Sequence, residues 1–275
     1  MTMTTNTETV LEQYSSNDAV RRYSKATAGD GISYLLDHEY GNIYVNALRN
    51  YLAAPSGRGI RLLEYGCGAG MNLIHCLRIL DRQRVPVETA YGTDFSSRLI
   101  DEASKETGSL SPELARSVKF LVGRNECLID DIAAGLHIER REMLSAFHLV
   151  IGVNTFRYCH RLRKGKECAK DLFDMLAPGG ISIMIDMNHN FPMFRSFLRD
   201  RLTKPPEERY LPTLKEYAAP FQSVGFEILE RRNFCWVPHS AGPALLKTFR
   251  TLTPILNLLV PAFAMRSLVI ARKPA

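Results

Sequence analysis

Two hydrophobic periods alternate along most of this chain. Short apolar runs bounded by turn residues read as strands buried on both faces, and between them apolar residues return every three or four positions, as on amphipathic helices. Arg61 to Tyr65 predicts a first strand, and Leu73, Ile74, Leu77 and Leu80 predict the helix after it. Glu88 to Asp94 reads as a second strand, followed by a helix over Arg98 to Thr107 capped by Ser96. Val118 to Gly123 and Phe147 to Val153 give a third and a fourth strand. A helix from about Arg163 to Leu176 leads to a fifth strand, Ile181 to Met187. Phe226 to about Val237 and Ser267 to Ala271 complete the series. Strands alternating with helices over this length predict an α/β fold.

The junction after the first strand carries the chemistry. Gly66, Gly68 and Gly70 occupy alternate positions, with Glu64 two places before the first and Asn72 at the start of the helix. Glycine is required where φ is positive or where a ligand lies against the backbone. A helix N-terminus above such a turn presents unpaired N–H groups to that ligand. A dinucleotide-binding turn reads G-x-G-x-x-G and cradles a pyrophosphate. Here the spacing is G-x-G-x-G, and a carboxylate beside it repels a pyrophosphate but suits a cationic amino-acid portion.

The string Glu64-Tyr65-Gly66-Cys67-Gly68-Ala69-Gly70 resembles motif I of the class I S-adenosylmethionine-dependent methyltransferases. Leu176-Ala177-Pro178-Gly179-Gly180 resembles the L-x-P-G-G that precedes strand five in that family. The resemblance implies a Rossmann-like seven-stranded sheet, mostly parallel with an antiparallel last strand, and helices on both faces. It implies S-adenosylmethionine as cofactor, with Asp94 at the ribose hydroxyls and Phe95 on the adenine. The third-strand exit departs from the family's G-D-A: Gly123-Arg124-Asn125 stands there, so Arg124 and the amide oxygen of Asn125 are the candidates at the adenine. Asn154, at the fourth-strand exit, completes the cofactor set. Phe147-His148 replaces the family's F-D, and no catalytic meaning attaches to His148.

Substrate choice falls to segments outside the sheet. Residues 1–55 read as an N-terminal helical cap, rich in tyrosine, in which Tyr14 and Tyr23 are candidates for the cofactor's carboxylate. Residues 56–275 form the methyltransferase domain, with lid insertions expected at about 188–212 and 238–265. These insertions are rich in Phe, Met and Leu, with Trp236 just before the second, and suit a small apolar molecule. Phe156, Tyr158, Phe191 and Trp236 are the candidate substrate-binding residues, and His160, Asp186 and His239 the candidate proton acceptors. The segments Val10 to Ser15, Val20 to Ser24, Asn154 to Tyr158 and Asn233 to Ser240 look like the actinobacterial prenyl C-methyltransferases of teleocidin biosynthesis. That likeness implies methylation of an electron-rich prenyl double bond on an indole alkaloid, with a carbocation that cyclises. O- or N-methylation of another apolar metabolite is the competing enzyme reading, and a non-catalytic cofactor-binding scaffold is the reading from another class.

Composition narrows the rest. The 275 residues are 45% hydrophobic, enough for one sizeable core. A net charge of +6 raises the question of nucleic acid, but the basic pairs are scattered among acids, and no basic stripe with interleaved aromatics is present. Nucleic acid is therefore not the expected partner. The six cysteines show no C-x-x-C, which points to reduced thiols and a cytoplasmic location. Leu252 to Met265 is too short to span a bilayer. Asp186 and Asn188 lack a third oxygen ligand at a suitable spacing, so no catalytic metal is expected. Apolar residues in excess of what one sheet needs for its lids suggest a homo-oligomer.

Overall fold

The computed structural model describes residues 30–52, 59–192 and 211–275. Tyr14 and Tyr23, and most of the lid expected at 188–212, lie outside the described residues. A helical stretch leads into the sheet: α1 (Asp30–Tyr34), a wider π turn (Leu35–Tyr40) and α2 (Gly41–Asn50). Strands and helices then alternate as β1 (Ile60–Tyr65), α3 (Met71–Arg82), β2 (Val87–Asp94), α4 (Ser97–Glu106), α5 (Pro112–Ser117) and β3 (Val118–Val122). The second half runs α6 (Leu128–Leu136), β4 (Phe147–Val153), α7 (Phe156–Arg161), α8 (Gly165–Met175) and β5 (Leu176–Met187). It closes with α9 (Leu214–Ser223), β6 (Glu227–Phe234), α10 (Pro243–Leu259) and β7 (Arg266–Arg272).

The seven strands form one sheet in the order β3-β2-β1-β4-β5-β7-β6. Every pairing is parallel except those of β7, which runs antiparallel to both β5 and β6. This is the Rossmann-like fold expected. Successive residues of the central strands enter opposite layers, as a pleat demands. Leu62, Leu149, Ile183 and Leu268 pack with Tyr44, Leu73 and Leu77 on one face. Leu63, Val150, Met184 and Val269 pack with Ile129, Leu172 and Phe221 on the other. Each such side chain, withdrawn from water, contributes roughly 1.5–3 kcal/mol.

Two boundaries differ from the sequence reading. β5 begins at Leu176, not Ile181: Leu176 pairs with Phe147 and Ile181 with Leu149, leaving Ala177 to Gly180 as a bulge. Gly179, at φ 75°, makes the bulge, and its amide is paired with the Lys273 carbonyl at 2.9 Å. β6 stops at Phe234 because Cys235 turns the chain with φ 65°. The apolar insertion between β6 and β7 is α10, and no helix among the described residues is long and apolar enough to cross a membrane. Leu246, Phe249 and Leu256 pack inward, whereas Ile255, Leu258 and Leu259 are exposed.

The sheet order reverses between β1 and β4, and the crevice at such a switch point is where open α/β sheets bind ligands. The glycine turn, Asp94, Asn154 and Asn188 all lie at this edge, at the carboxyl ends of β1, β2, β4 and β5.

Candidate functional site

The glycine turn is built from three left-handed residues, Gly66 at φ 62°, Gly68 at 55° and Gly70 at 80°. They are not equivalent. A Cβ on Gly66 would lie 1.8 Å from Thr155 Oγ1, and one on Gly70 would lie 2.9 Å from the Phe120 ring. A Cβ on Gly68 would meet nothing within 4 Å. Packing against the protein therefore fixes Gly66 and Gly70, and only Gly68 borders open space where a ligand can approach the backbone.

Asp94 holds this turn in place. Its Oδ2 accepts from the Gly68 amide at 3.0 Å and its Oδ1 from the Ser96 amide at 2.9 Å. Burial pushes its carboxyl above the usual range, against the two amides that pull it back. Ser96 also caps α4, its Oγ accepting from the Leu99 amide at 3.5 Å. Phe95 between them is half-buried.

Glu64 is fully buried at the end of β1, and among the described residues neither carboxyl oxygen closes a hydrogen bond of good geometry. Burial raises its pKa to about 8, offset in part by the Asn72 side chain and the Leu73 amide, which face it. A carboxyl group left like this beside a glycine turn is matched to a ligand cation. Asn125 likewise keeps a buried Oδ1 with no partner among the described residues at the β3 exit, an acceptor suited to an exocyclic amine. Arg124 turns the other way: its guanidinium and its amide engage Asp131 at 2.8–3.0 Å, and its side chain is exposed. That ion pair engages Arg124 with α6. An open approach at Gly68 and unpaired acceptors at Glu64 and Asn125 fit an adenosyl group carrying a cationic amino acid.

At the β4 exit, Asn154 takes a left-handed conformation, φ 58°. Its amide is paired with the Ile185 carbonyl at 2.7 Å, and its Oδ1 accepts from Arg266 Nη1 at 2.7 Å. Thr155 Oγ1 reaches the Gly66 carbonyl at 3.4 Å, tying this exit to the glycine turn. Asp186, fully buried near the end of β5, accepts from the Arg157 amide at 3.0 Å, Arg157 Nη1 at 2.9 Å and the Met187 amide at 2.9 Å. Arg157 Nη2 in turn donates to the Tyr158 hydroxyl at 3.0 Å. Asp186 thus fastens β5 to the start of α7.

The remaining candidates fall into three places. Phe156 is fully buried against Tyr217, Phe221 and His160, with ring centroids 4.6–5.6 Å apart, so it belongs to the core and not to a pocket wall. His160 stacks with Tyr217 at 6.0 Å in that same cluster, and burial holds its imidazole below the ordinary pKa. Phe191 and Trp236 instead come together with Ala264 and Met265 in a small cluster beyond the sheet edge. Trp236 Nε1 donates to Asn257 Oδ1 of α10 at 2.8 Å. Asn188 ties the same region together through the Ala262 and Ala264 carbonyls at 2.9 and 2.6 Å. His239 lies exposed in the turn that leads to α10. Sequence reasoning missed Arg266, Arg157 and Thr155; the one available signal was a cation at the start of the last strand, just before its apolar run.

The comparisons agree with this geometry. A family profile described as "Methyltransferase domain" matches residues 37–231. No curated protein matches the sequence. Among solved structures, the magnesium protoporphyrin IX methyltransferase of Synechocystis PCC 6803, determined with bound SAH, is similar at TM-score 0.59 and 13% identity, covering 97% of this chain and 99% of that one. The citrinin polyketide synthase CMeT domain is similar at TM-score 0.61 and 18% identity, covering 95% of this chain and 58% of that one. The CurJ carbon methyltransferase is similar at TM-score 0.54 and 16% identity, covering 98% of this chain and 59% of that one. At these identities the structures attest the fold. The profile spans well over half the chain and contains the glycine turn, Asp94 and the β4 and β5 exits, and on that ground the chain belongs to the methyltransferase-domain family, as a class I methyltransferase.

Proposed function

We propose that the protein transfers a methyl group from S-adenosylmethionine to a small, mostly apolar acceptor, and that the bond is formed to carbon. The cofactor supplies an electrophilic methyl group. Glu64, Gly68, Asp94, Phe95 and Asn125 bind and orient it, with the Asn154–Thr155 exit closing the methionine end. Tyr14 and Tyr23 stay candidates for its carboxylate.

What supports the carbon assignment is that two of the three candidate proton acceptors, Asp186 and His160, are engaged elsewhere among the described residues, and the third, His239, lies out at the lid. Asp186 is engaged by Arg157, and His160, half-buried, packs against the Phe156 and Tyr217 rings. Deprotonating a phenol or alcohol needs a base of matched pKa within hydrogen-bond reach. An alkene needs none. Its π pair forms the new bond to the methyl carbon as the S–C bond breaks, and a carbocation remains on the acceptor. Ring attack then quenches that cation, and a proton is finally lost to water or to His239 at the lid. A dry pocket with π faces stabilises such a charge, and Trp236 and Phe191 supply them, with Tyr158 at the β4 exit. A prenylated indole is the acceptor that this chemistry favours. Among the described residues no group of three or more His, Cys, Asp or Glu side chains is placed to hold a metal, and activity is expected to survive chelation. Self-association through the exposed face of α10 belongs to the same proposal.

The test is incubation with S-adenosylmethionine labelled in its methyl group, a prenylated indole and a panel of phenols, read by mass and carbon chemical shift. Label on a new carbon–carbon bond is expected. Label on a phenolic oxygen, with the prenylated indole untouched, overturns the carbon assignment and returns the O-methylation reading.

A further inference from the structure

Two arginines sit at the reaction edge, and their circumstances differ. Arg157 is answered by Asp186. Arg266, at the start of β7, is only 6% exposed and makes no ion pair among the described residues. Its Nη1 donates to Asn154 Oδ1 at 2.7 Å, a neutral acceptor, and its Nε is buried with no hydrogen-bond partner among the described residues. A guanidinium withdrawn from water and not paired with an anion is a costly arrangement, and one that persists where a ligand completes it. The free Nε–Nη2 side of the fork matches the two oxygens of a carboxylate.

The position of Arg266 says which molecule that carboxylate belongs to. In the sheet, Arg266 pairs with Met187 of β5 and Phe234 of β6, whereas Gly68 and Asp94 follow β1 and β2 on the other side of β4. Its chain neighbour Met265 belongs to the Phe191–Trp236 cluster. The charge is also felt at the lid: burial, and after it the Arg266 charge, hold the His239 imidazole below its ordinary pKa. The guanidinium therefore lies between the β4 exit and the apolar lid, on the acceptor's side.

We infer that the acceptor is an amphiphilic acid, its apolar body against Phe191, Trp236 and Met265 and its carboxylate on Arg266. This rests on the methyltransferase reading above and narrows it. Arg266 is then the residue that selects among greasy acceptors, and it positions the molecule by the end remote from the reacting carbon.

The experiment measures binding to the full chain saturated with S-adenosylhomocysteine. The probes are indole-3-acetate, benzoate and a prenylated benzoate, each beside its neutral primary amide. At least one acid is expected to bind tenfold or more tightly than its amide. Arg266→Met should erase that preference and Arg266→Lys should keep part of it, with S-adenosylhomocysteine affinity within twofold of wild type in Arg266→Lys. Wild-type protein that shows no preference for any acid overturns the inference even if Arg266→Met fails to fold. A tenfold loss of S-adenosylhomocysteine affinity in Arg266→Lys also overturns it, since the guanidinium then serves the cofactor's own carboxylate. Wild-type protein that binds no S-adenosylhomocysteine contradicts the methyltransferase reading instead, so the two failures are told apart.

Discussion

Asp94 Oδ2 accepts a hydrogen bond from the Gly68 amide at 3.0 Å, so the carboxylate expected at the ribose is also the brace of the glycine turn. One side chain sets both the backbone cradle and the ligand contact. Replacing it with alanine should weaken S-adenosylhomocysteine binding by about 1–3 kcal/mol through lost charge-assisted hydrogen bonds. Calorimetry reads this directly. Unchanged affinity removes Asp94 from the cofactor site.

The glycines should separate in their effects. Gly66→Ala brings a Cβ to 1.8 Å from Thr155 Oγ1 in addition to the left-handed strain, and should lower the melting temperature. Overpacking of this kind costs about 1–3 kcal/mol, and Thr155→Gly in the same chain should recover part of it. Gly68→Ala has room in the fold and should cost only the backbone strain of about 1–2 kcal/mol. Its Cβ occupies the ligand's approach, so its loss should be in cofactor affinity. Equal thermal losses in both variants contradict this division.

Glu64 predicts a pH dependence with a definite sign. Its pKa is 4.5 ordinarily and about 8 in the fold, so between these values the folded chain holds a proton that the unfolded chain has released. Stability of the ligand-free protein should therefore fall as pH rises through that window, by up to about 1.4 kcal/mol per unit. Glu64→Gln should flatten the slope in urea titrations at several pH values. Binding a cofactor ammonium beside Glu64 should expel the proton near pH 7. Calorimetry in two buffers of different ionisation enthalpy reads that release, and a wild-type enthalpy independent of buffer argues against the assignment.

Helix α10 exposes Ile255 at 55%, Leu258 at 81% and Leu259 at 69%, a face that a monomer gains nothing by showing to water. Leu258→Asp with Leu259→Asp should convert a self-associated species to monomer in sedimentation at micromolar concentration. A wild-type monomer under the same conditions contradicts self-association.

Much of this was legible in the sequence because its causes are local. The strand at Phe147–Val153 and the turn at Gly66–Gly70 follow from an apolar run and from residues that only glycine tolerates. The placement of Glu64 and Asn125 beside strand ends was readable because the chain alone sets it. Arg124, Phe156 and His160 were not, because their partners come from elsewhere in the fold: Asp131 of α6 captures the first, and Tyr217 of α9 packs with the other two. Arg266 and Asn154 meet across 112 positions of sequence, a contact no local pattern announces.

We place an adenosyl amino acid, and not a dinucleotide, on the glycine turn beside Glu64. Calorimetric titration of the purified full chain with S-adenosylhomocysteine and, separately, with NADH separates the two. Saturable one-to-one binding of S-adenosylhomocysteine and no binding of NADH are expected. Saturable binding of NADH with none of S-adenosylhomocysteine contradicts that placement.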